Sequence, residues 1–151
     1  MNKIIISIIF ITLLSNVTFA QYDSLSKKKN FSEGDIIVST DASLSPDSFS
    51  LSNKTYDELI IGVYRKVKTN TNYDTIHVKI RVNPVYSKGT TLVKYNSENG
   101  TIKKGDPITS SSEPGVGMKA TNSGIIVGIA LEDAKKETGL IKIRVLIQYI
   151  M

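Results

Sequence analysis

Apolar and polar residues alternate with period two along residues 140–150. Ile141, Ile143, Val145, Ile147 and Tyr149 fall on one side, and Lys142, Arg144 and Gln148 on the other. Leu146 interrupts the polar side, as if covered by a neighbour. Successive side chains of a strand point to opposite faces, so this pattern predicts a half-buried strand, the longest in the chain. Residues 77–82 alternate in the same way, with Val78, Ile80 and Val82 set against His77, Lys79 and Arg81. Shorter apolar runs predict strands at residues 36–38, 59–63, 90–95 and 125–130. Turn-forming pairs punctuate them: Gly34-Asp35, Asn99-Gly100, Gly105-Asp106 and Pro114-Gly115. Glycine accepts a positive φ and aspartate bonds nearby backbone, so the two Gly-Asp pairs read as structural turns. Pro107 has no N–H to donate, which places it at an edge or at the start of a strand. Residues 41–54 and 110–117 read as loops, and residues 132–139 as a charged hairpin connection. No amphipathic helix stands out. Short strands separated by turns predict an all-β fold, a small barrel or β-clip-like sandwich.

The same words occur twice in the same order. Gly34-Asp35-Ile36-Ile37-Val38-Ser39 returns as Gly105-Asp106-Pro107-Ile108-Thr109-Ser110, Leu59-Ile60-Ile61-Gly62 as Ile125-Ile126-Val127-Gly128, and Lys79-Ile80-Arg81-Val82 as Lys142-Ile143-Arg144-Val145. The offsets shrink from 71 to 66 to 63 residues, and the losses fall in predicted loops, where length changes are tolerated. This predicts an internal duplication: units 34–82 and 105–145, joined by a connector at 83–104, in one β domain spanning 34–151.

The beginning of the chain reads differently. Lys3 precedes an apolar stretch from Ile4 to Leu14, and Thr18 and Ala20 are small residues suited to cleavage before Gln21. Eleven residues make about 17 Å of helix, short of the roughly 30 Å of a bilayer core. Residues 1–20 therefore read as a signal peptide. No membrane insertion is expected after its cleavage, and the product is expected in the periplasm, at the cell surface or outside the cell. Residues 21–33, with Lys27-Lys28-Lys29, read as a flexible polar arm.

Composition narrows the picture further. The chain of 151 residues has no Cys, which excludes disulfides and thiolate metal sites. Nineteen Lys and Arg against 14 Asp and Glu give +5, too small and dispersed an excess to argue for nucleic acid. Stability must come from the core and its sheets, for which about 130 residues suffice.

From Pro84 onward the chain resembles a β-rich module of bacterial secreted proteins and of phage tail-fibre and appendage C-termini. The residues that carry the likeness are Pro84-Val85, Gly89, Val93-Lys94, Glu98-Asn99-Gly100, residues 102–106, residues 109–111, Pro114-Gly115, Met118-Lys119-Ala120 and residues 126–132. The first half matches more loosely, through Gly34-Asp35-Ile36-Ile37-Val38, Tyr56-Asp57 and Ile61-Gly62-Val63. Such modules are similar to self-cleaving chaperone domains of the glutamic peptidase G2 type and to small phage capsid decoration proteins. The resemblance implies an all-β, self-associating module, a trimer being one form. The chain departs from the self-cleaving kind in having only a short arm before Gly34, which leaves no passenger to release.

Chemistry-bearing groups are sparse. Glu132-Asp133 is the adjacent acidic pair that acid/base work would need, but it opens a hairpin with Lys135 and Lys136, which predicts solvation and ion pairing. His77 is the only histidine and has no cysteine or spaced acid to share a metal with, so no metal or cofactor is expected. The hydroxyls of residues 109–112 lack a nucleophile elbow and read as turn caps. Asp23-Ser24-Leu25 and Asp74-Thr75-Ile76 match a short O-glycosylation acceptor pattern. What remains is a surface: His77, Lys79 and Arg81 on one predicted strand, Lys142 and Arg144 on another, able to merge into a basic stripe for an anionic glycan or the acidic face of a neighbouring subunit. The expectation is a non-enzymatic, exported structural or adhesion module that forms homo-oligomers. A self-processing peptidase and a carbohydrate-binding module, the latter disfavoured by the lack of Trp, are the alternatives.

Overall fold

The structure, a computed structural model, describes residues 30–41, 48–66 and 84–151. Within them the regular elements are all strands: β1 (Ile36–Ser39), β2 (Phe49–Leu51), β3 (Ile60–Tyr64), β4 (Val85–Tyr86), β5 (Lys88–Tyr95), β6 (Pro107–Ser110), β7 (Gly117–Lys119), β8 (Gly124–Ala130) and β9 (Gly139–Ile150). The fold is all-β. Two sheets pack together, one of four strands in the order β2-β1-β3-β4, the other of five strands closed as β5-β7-β6-β8-β9. The parallel pair Tyr95↔Gly117 closes the ring.

One core joins the two layers. Ile36, Val38, Ile60 and Val63 from the open sheet meet Val93, Ile102, Ile108, Val127, Ile141, Ile143 and Val145 from the barrel. On the far side of the open sheet Ile37, Phe49, Tyr64 and Val85 form a second cluster, with Phe31 and Leu51 against it. β1 is therefore buried on both faces, which is why it reads as an unbroken apolar run and β9 as an alternation. Removing this surface from water favours both arrangements, by about 25 cal/mol per Å² of apolar area.

The ladders repeat. β1 meets β2 at Val38↔Ser50, and β6 meets β7 at Thr109↔Met118. Ile37↔Gly62 joins β1 to β3 as Ile108↔Gly128 joins β6 to β8. Val63↔Tyr86 joins β3 to β4 as Ile129↔Arg144 joins β8 to β9. The chain thus takes the order β2-β1-β3-β4 and, within the barrel, β7-β6-β8-β9.

Several expectations change. β2 lies inside a stretch read as a loop, and β7, not expected as a strand, begins at the last residue of another, because three residues are too few to display a period. Of the two places open to Pro107, the structure takes the start of a strand: it begins β6, which is flanked on both sides by β7 and β8 and is not an edge. The place beside β3 that matches Ile143 and Arg144 beside β8 belongs to Val85 and Tyr86, an offset of 58 residues rather than 63. Residues 1–29 and 67–83, with the signal peptide, the lysine run, both acceptor strings, His77, Lys79 and Arg81, lie outside the described residues. The inward side of β9 ends early. Ile141, Ile143 and Val145 are buried, but Tyr149 is 63% exposed, because the ladder to β8 shifts register beyond Val145 and the strand outruns its core.

Candidate functional site

The two Gly-Asp turns are built alike. The N–H of Asp35 donates to the Ser32 carbonyl at 3.1 Å, and that of Asp106 to the Lys103 carbonyl at 3.0 Å. The Asp35 Oδ2 accepts the Ser32 N–H at 2.7 Å, and the Asp106 Oδ2 accepts the Lys103 N–H at 2.8 Å. Each glycine has left-handed backbone, φ 86° at Gly34 and 93° at Gly105. Each turn is zipped to the far end of its sheet. Gly34 donates to the Tyr64 carbonyl and Tyr64 back to that of Asp35; Gly105 donates to the Ala130 carbonyl and Ala130 back to that of Asp106. A lysine closes each carboxylate, Lys94 on Asp35 at 2.6 Å and Lys119 on Asp106 at 2.9 Å. These aspartates hold turns, and their chemistry is used up there.

Other acids do similar work between segments distant in sequence. The Lys142 N–H donates to Glu132 at 3.0 Å, and the Lys104 N–H to Asp133 at 2.8 Å. The acidic pair therefore pins backbone instead of pairing with Lys135 and Lys136, as its spacing suggested. The N–H groups of Lys66 and Ser112 donate to Glu33 and Glu98, and within a single turn that of Leu59 donates to Asp57. The hydroxyls of residues 109–112 also bridge segments. The Ser110 hydroxyl donates to the Lys54 carbonyl and accepts the Asp57 N–H, and Thr109 donates to the Ile125 carbonyl. Asp57 and Ser110 are buried, so these bonds lie in low dielectric where leaving one unmade is costly.

A cavity of about 270 Å³ opens beneath the β8–β9 hairpin, lined by Tyr95, Glu132, Asp133, Lys136, Thr138 and Leu140 among others. Tyr95 donates its hydroxyl proton to the Lys136 carbonyl, and both acids are held by backbone N–H groups. Among the described residues no three His, Cys, Asp or Glu side chains converge as a metal site would require.

Sequence reasoning missed Tyr56. Its backbone is left-handed, φ 52°, and its ring lies over Gly124. Its oxygen accepts the N–H groups of Thr121 at 2.8 Å and Asn122 at 2.9 Å. Burial pushes the phenol pKa up, but hydrogen bonds from Thr121, Asn122 and Asn99 outweigh it and hold the group below its ordinary value. The Tyr56-Asp57 pair carried no signal beyond the family likeness, because its partner loop lies 65 residues away.

The outer face of β5 and β9 is the remaining surface. Register sets Lys88 opposite Leu146, Thr90 opposite Arg144, Leu92 opposite Lys142 and Lys94 opposite Leu140. Lys94 is tied to Asp35. Lys88, Lys142 and Arg144 are exposed, and among the described residues no acid side chain forms a salt bridge with them. Leu92, Leu140 and Leu146 are exposed between them, at 37%, 47% and 42%. Among the described residues nothing covers Leu146 fully. Lys142 and Arg144 are brought together here as alternation required. Their partner across the ladder is β5, with Lys88; the strand expected at 77–82 lies outside the described residues. On the open sheet the counterpart of Arg144 is Tyr86, whose ring lies 5.1 Å beneath the Arg65 guanidinium.

Comparison of the chain with family models, curated proteins and solved structures finds no match.

Proposed function

We propose that the chain is an exported structural or adhesion module, non-enzymatic and self-associating, that grips an anionic partner through the outer face of β5 and β9. One observation carries this reading: charge on this protein is spent asymmetrically. Among the described residues, seven carboxylates hold backbone N–H groups of turns and loops. Lys88, Lys142 and Arg144 are left facing solvent on a face whose strands present no acid. Fixed carboxylates stiffen loops, as a structural part needs, and free cations set among leucines suit an anionic surface with some apolar character. The matched ladder registers support an origin by duplication, with β1–β4 and β6–β9 as the two units. The likeness to secreted and tail-fibre modules points the same way, and an anionic glycan at a cell surface is the natural ligand class.

The test is binding to an immobilised sulfated polysaccharide through a salt gradient. Wild type should be retained and released as salt screens the contact, while Lys142→Glu/Arg144→Glu should elute at clearly lower salt. Equal elution of the two would remove this face as the contact.

A further inference from the structure

β9 is longer than its neighbour. It pairs with β5 only from Gly139 to Leu146, opposite Tyr95 to Lys88, but with β8 as far as Ile150. Before Lys88 the chain turns away at Ser87 into β4, which pairs with β3. Residues 147–150 therefore have β8 on one side and, among the described residues, no strand on the other. The segment Leu146-Ile147-Gln148-Tyr149-Ile150-Met151 contains no charge, proline or glycine. It is rich in residues that favour strands, and Leu146, Tyr149 and Met151 are exposed. Proteins ordinarily guard such an edge with lysine, proline or brevity.

We propose that the edge at residues 147–150 pairs antiparallel with the same edge of a second copy, Tyr149 facing its own copy about a twofold axis that joins two β8–β9 sheets. This rests on the self-association in the reading above and gives it a location. Charge selects the occupant. Docking by the outer face would set Lys88, Lys142 and Arg144 against their own copies with no acid to relieve them. Pairing by the edge sets neutral strand against neutral strand. A twofold is self-complementary, so each copy fills the N–H and C=O groups that the other leaves open. The exposed Tyr149 rings of the two copies then meet at the axis and leave water together. A four-residue ladder is short, so the dimer is weak and grows with concentration, and the assembly is even-numbered rather than a trimer.

Two measurements on the purified chain decide it. Sedimentation velocity across a wide concentration range should show monomer giving way to dimer. Hydrogen exchange should show the amides of residues 147–150 gaining protection over the same range while those of β5 stay unchanged. Tyr149→Lys, at a site with room for it, should weaken the dimer by about tenfold or more, since like charges then oppose each other across the axis. A monomer at every concentration overturns the proposal, as does a dimer that Tyr149→Lys leaves intact or one whose protection arises elsewhere. Lys142→Glu/Arg144→Glu separates the two proposals: it should lose the polysaccharide and keep the dimer.

Discussion

The turns Gly34-Asp35 and Gly105-Asp106 share their sequence, their backbone conformation and their hydrogen bonds, yet differ in what surrounds them. The Asp35 side chain is 3% exposed and that of Asp106 20%. Lys94 on β5 donates its N–H to the Gly34 carbonyl, and the Pro114-Gly115 loop closes over the same turn through the bond from Ile36 N–H to the Gly115 carbonyl. A methyl group on Gly34 would come within 2.7 Å of Leu140 Cδ2 and 2.9 Å of the Lys94 nitrogen, whereas the same position on Gly105 is open. Local chemistry makes the turn in both places. Its weight in stability comes from whether the rest of the molecule is built against it.

The largest effect should therefore come from Gly34→Ala. It combines left-handed backbone strain of about 1–2 kcal/mol with crowding of about 1–3 kcal/mol. Gly105→Ala should show only the strain. Urea unfolding of the two variants measures the gap, and equal losses would mean that the surroundings of Gly34 carry no weight.

Next come the aspartates. Asp35→Ala strands the Ser32 N–H and the Lys94 ammonium beside a buried site, for a loss on the order of 3 kcal/mol. Asp106→Ala removes a more solvated cap and should cost about 1 kcal/mol. The second loss should depend on pH. Partial burial pushes the Asp106 carboxyl up, but the Lys119 hydrogen bond, the Lys103 N–H and the charges of both lysines outweigh it and hold its pKa below the ordinary value. A depressed folded pKa gives stability that is complete above the unfolded value of about 3.9. That stability is lost as pH falls through the folded value. The deficit of Asp106→Ala should thus be full at neutral pH and shrink in acid, as unfolding curves taken down the pH scale would show.

Tyr56 gives the smallest and most local test, because it links the open sheet to the loop before β8. Its lowered pKa means that ionisation adds stability only as pH rises through the folded value, and adds none at neutral pH. At neutral pH Tyr56→Phe should cost about 0.5–1.5 kcal/mol through the Thr121 and Asn122 N–H groups it leaves to water. In an alkaline absorbance titration one tyrosine should ionise below 10.0, the ordinary value, and Tyr56→Phe should remove that component. A wild-type titration without an early component would show that the two N–H groups do not stabilise the phenolate.

Period and turn chemistry are properties of neighbouring residues, and they made much of the fold legible. Alternation located β9 and the outward placement of Lys142 and Arg144. The apolar runs located β1, β3, β5 and β8, and Gly-Asp marked both turns. What the chain could not show locally was decided at a distance. β2, β4 and β7 are too short for a period and exist because β1, β3 and β6 offer them a ladder. Lys94 looks like one more outward lysine until folding sets Asp35 beside it, and Glu132 and Asp133 are exposed as their spacing suggests, but only folding brings them the N–H groups of Lys142 and Lys104. The alternation also overstated β9: it runs unbroken through Tyr149, but the ladder to β8 shifts register after Val145 and, among the described residues, the ring stays exposed. A side-chain pattern fixes which way a residue points along its own strand, and only the packed structure supplies what it meets.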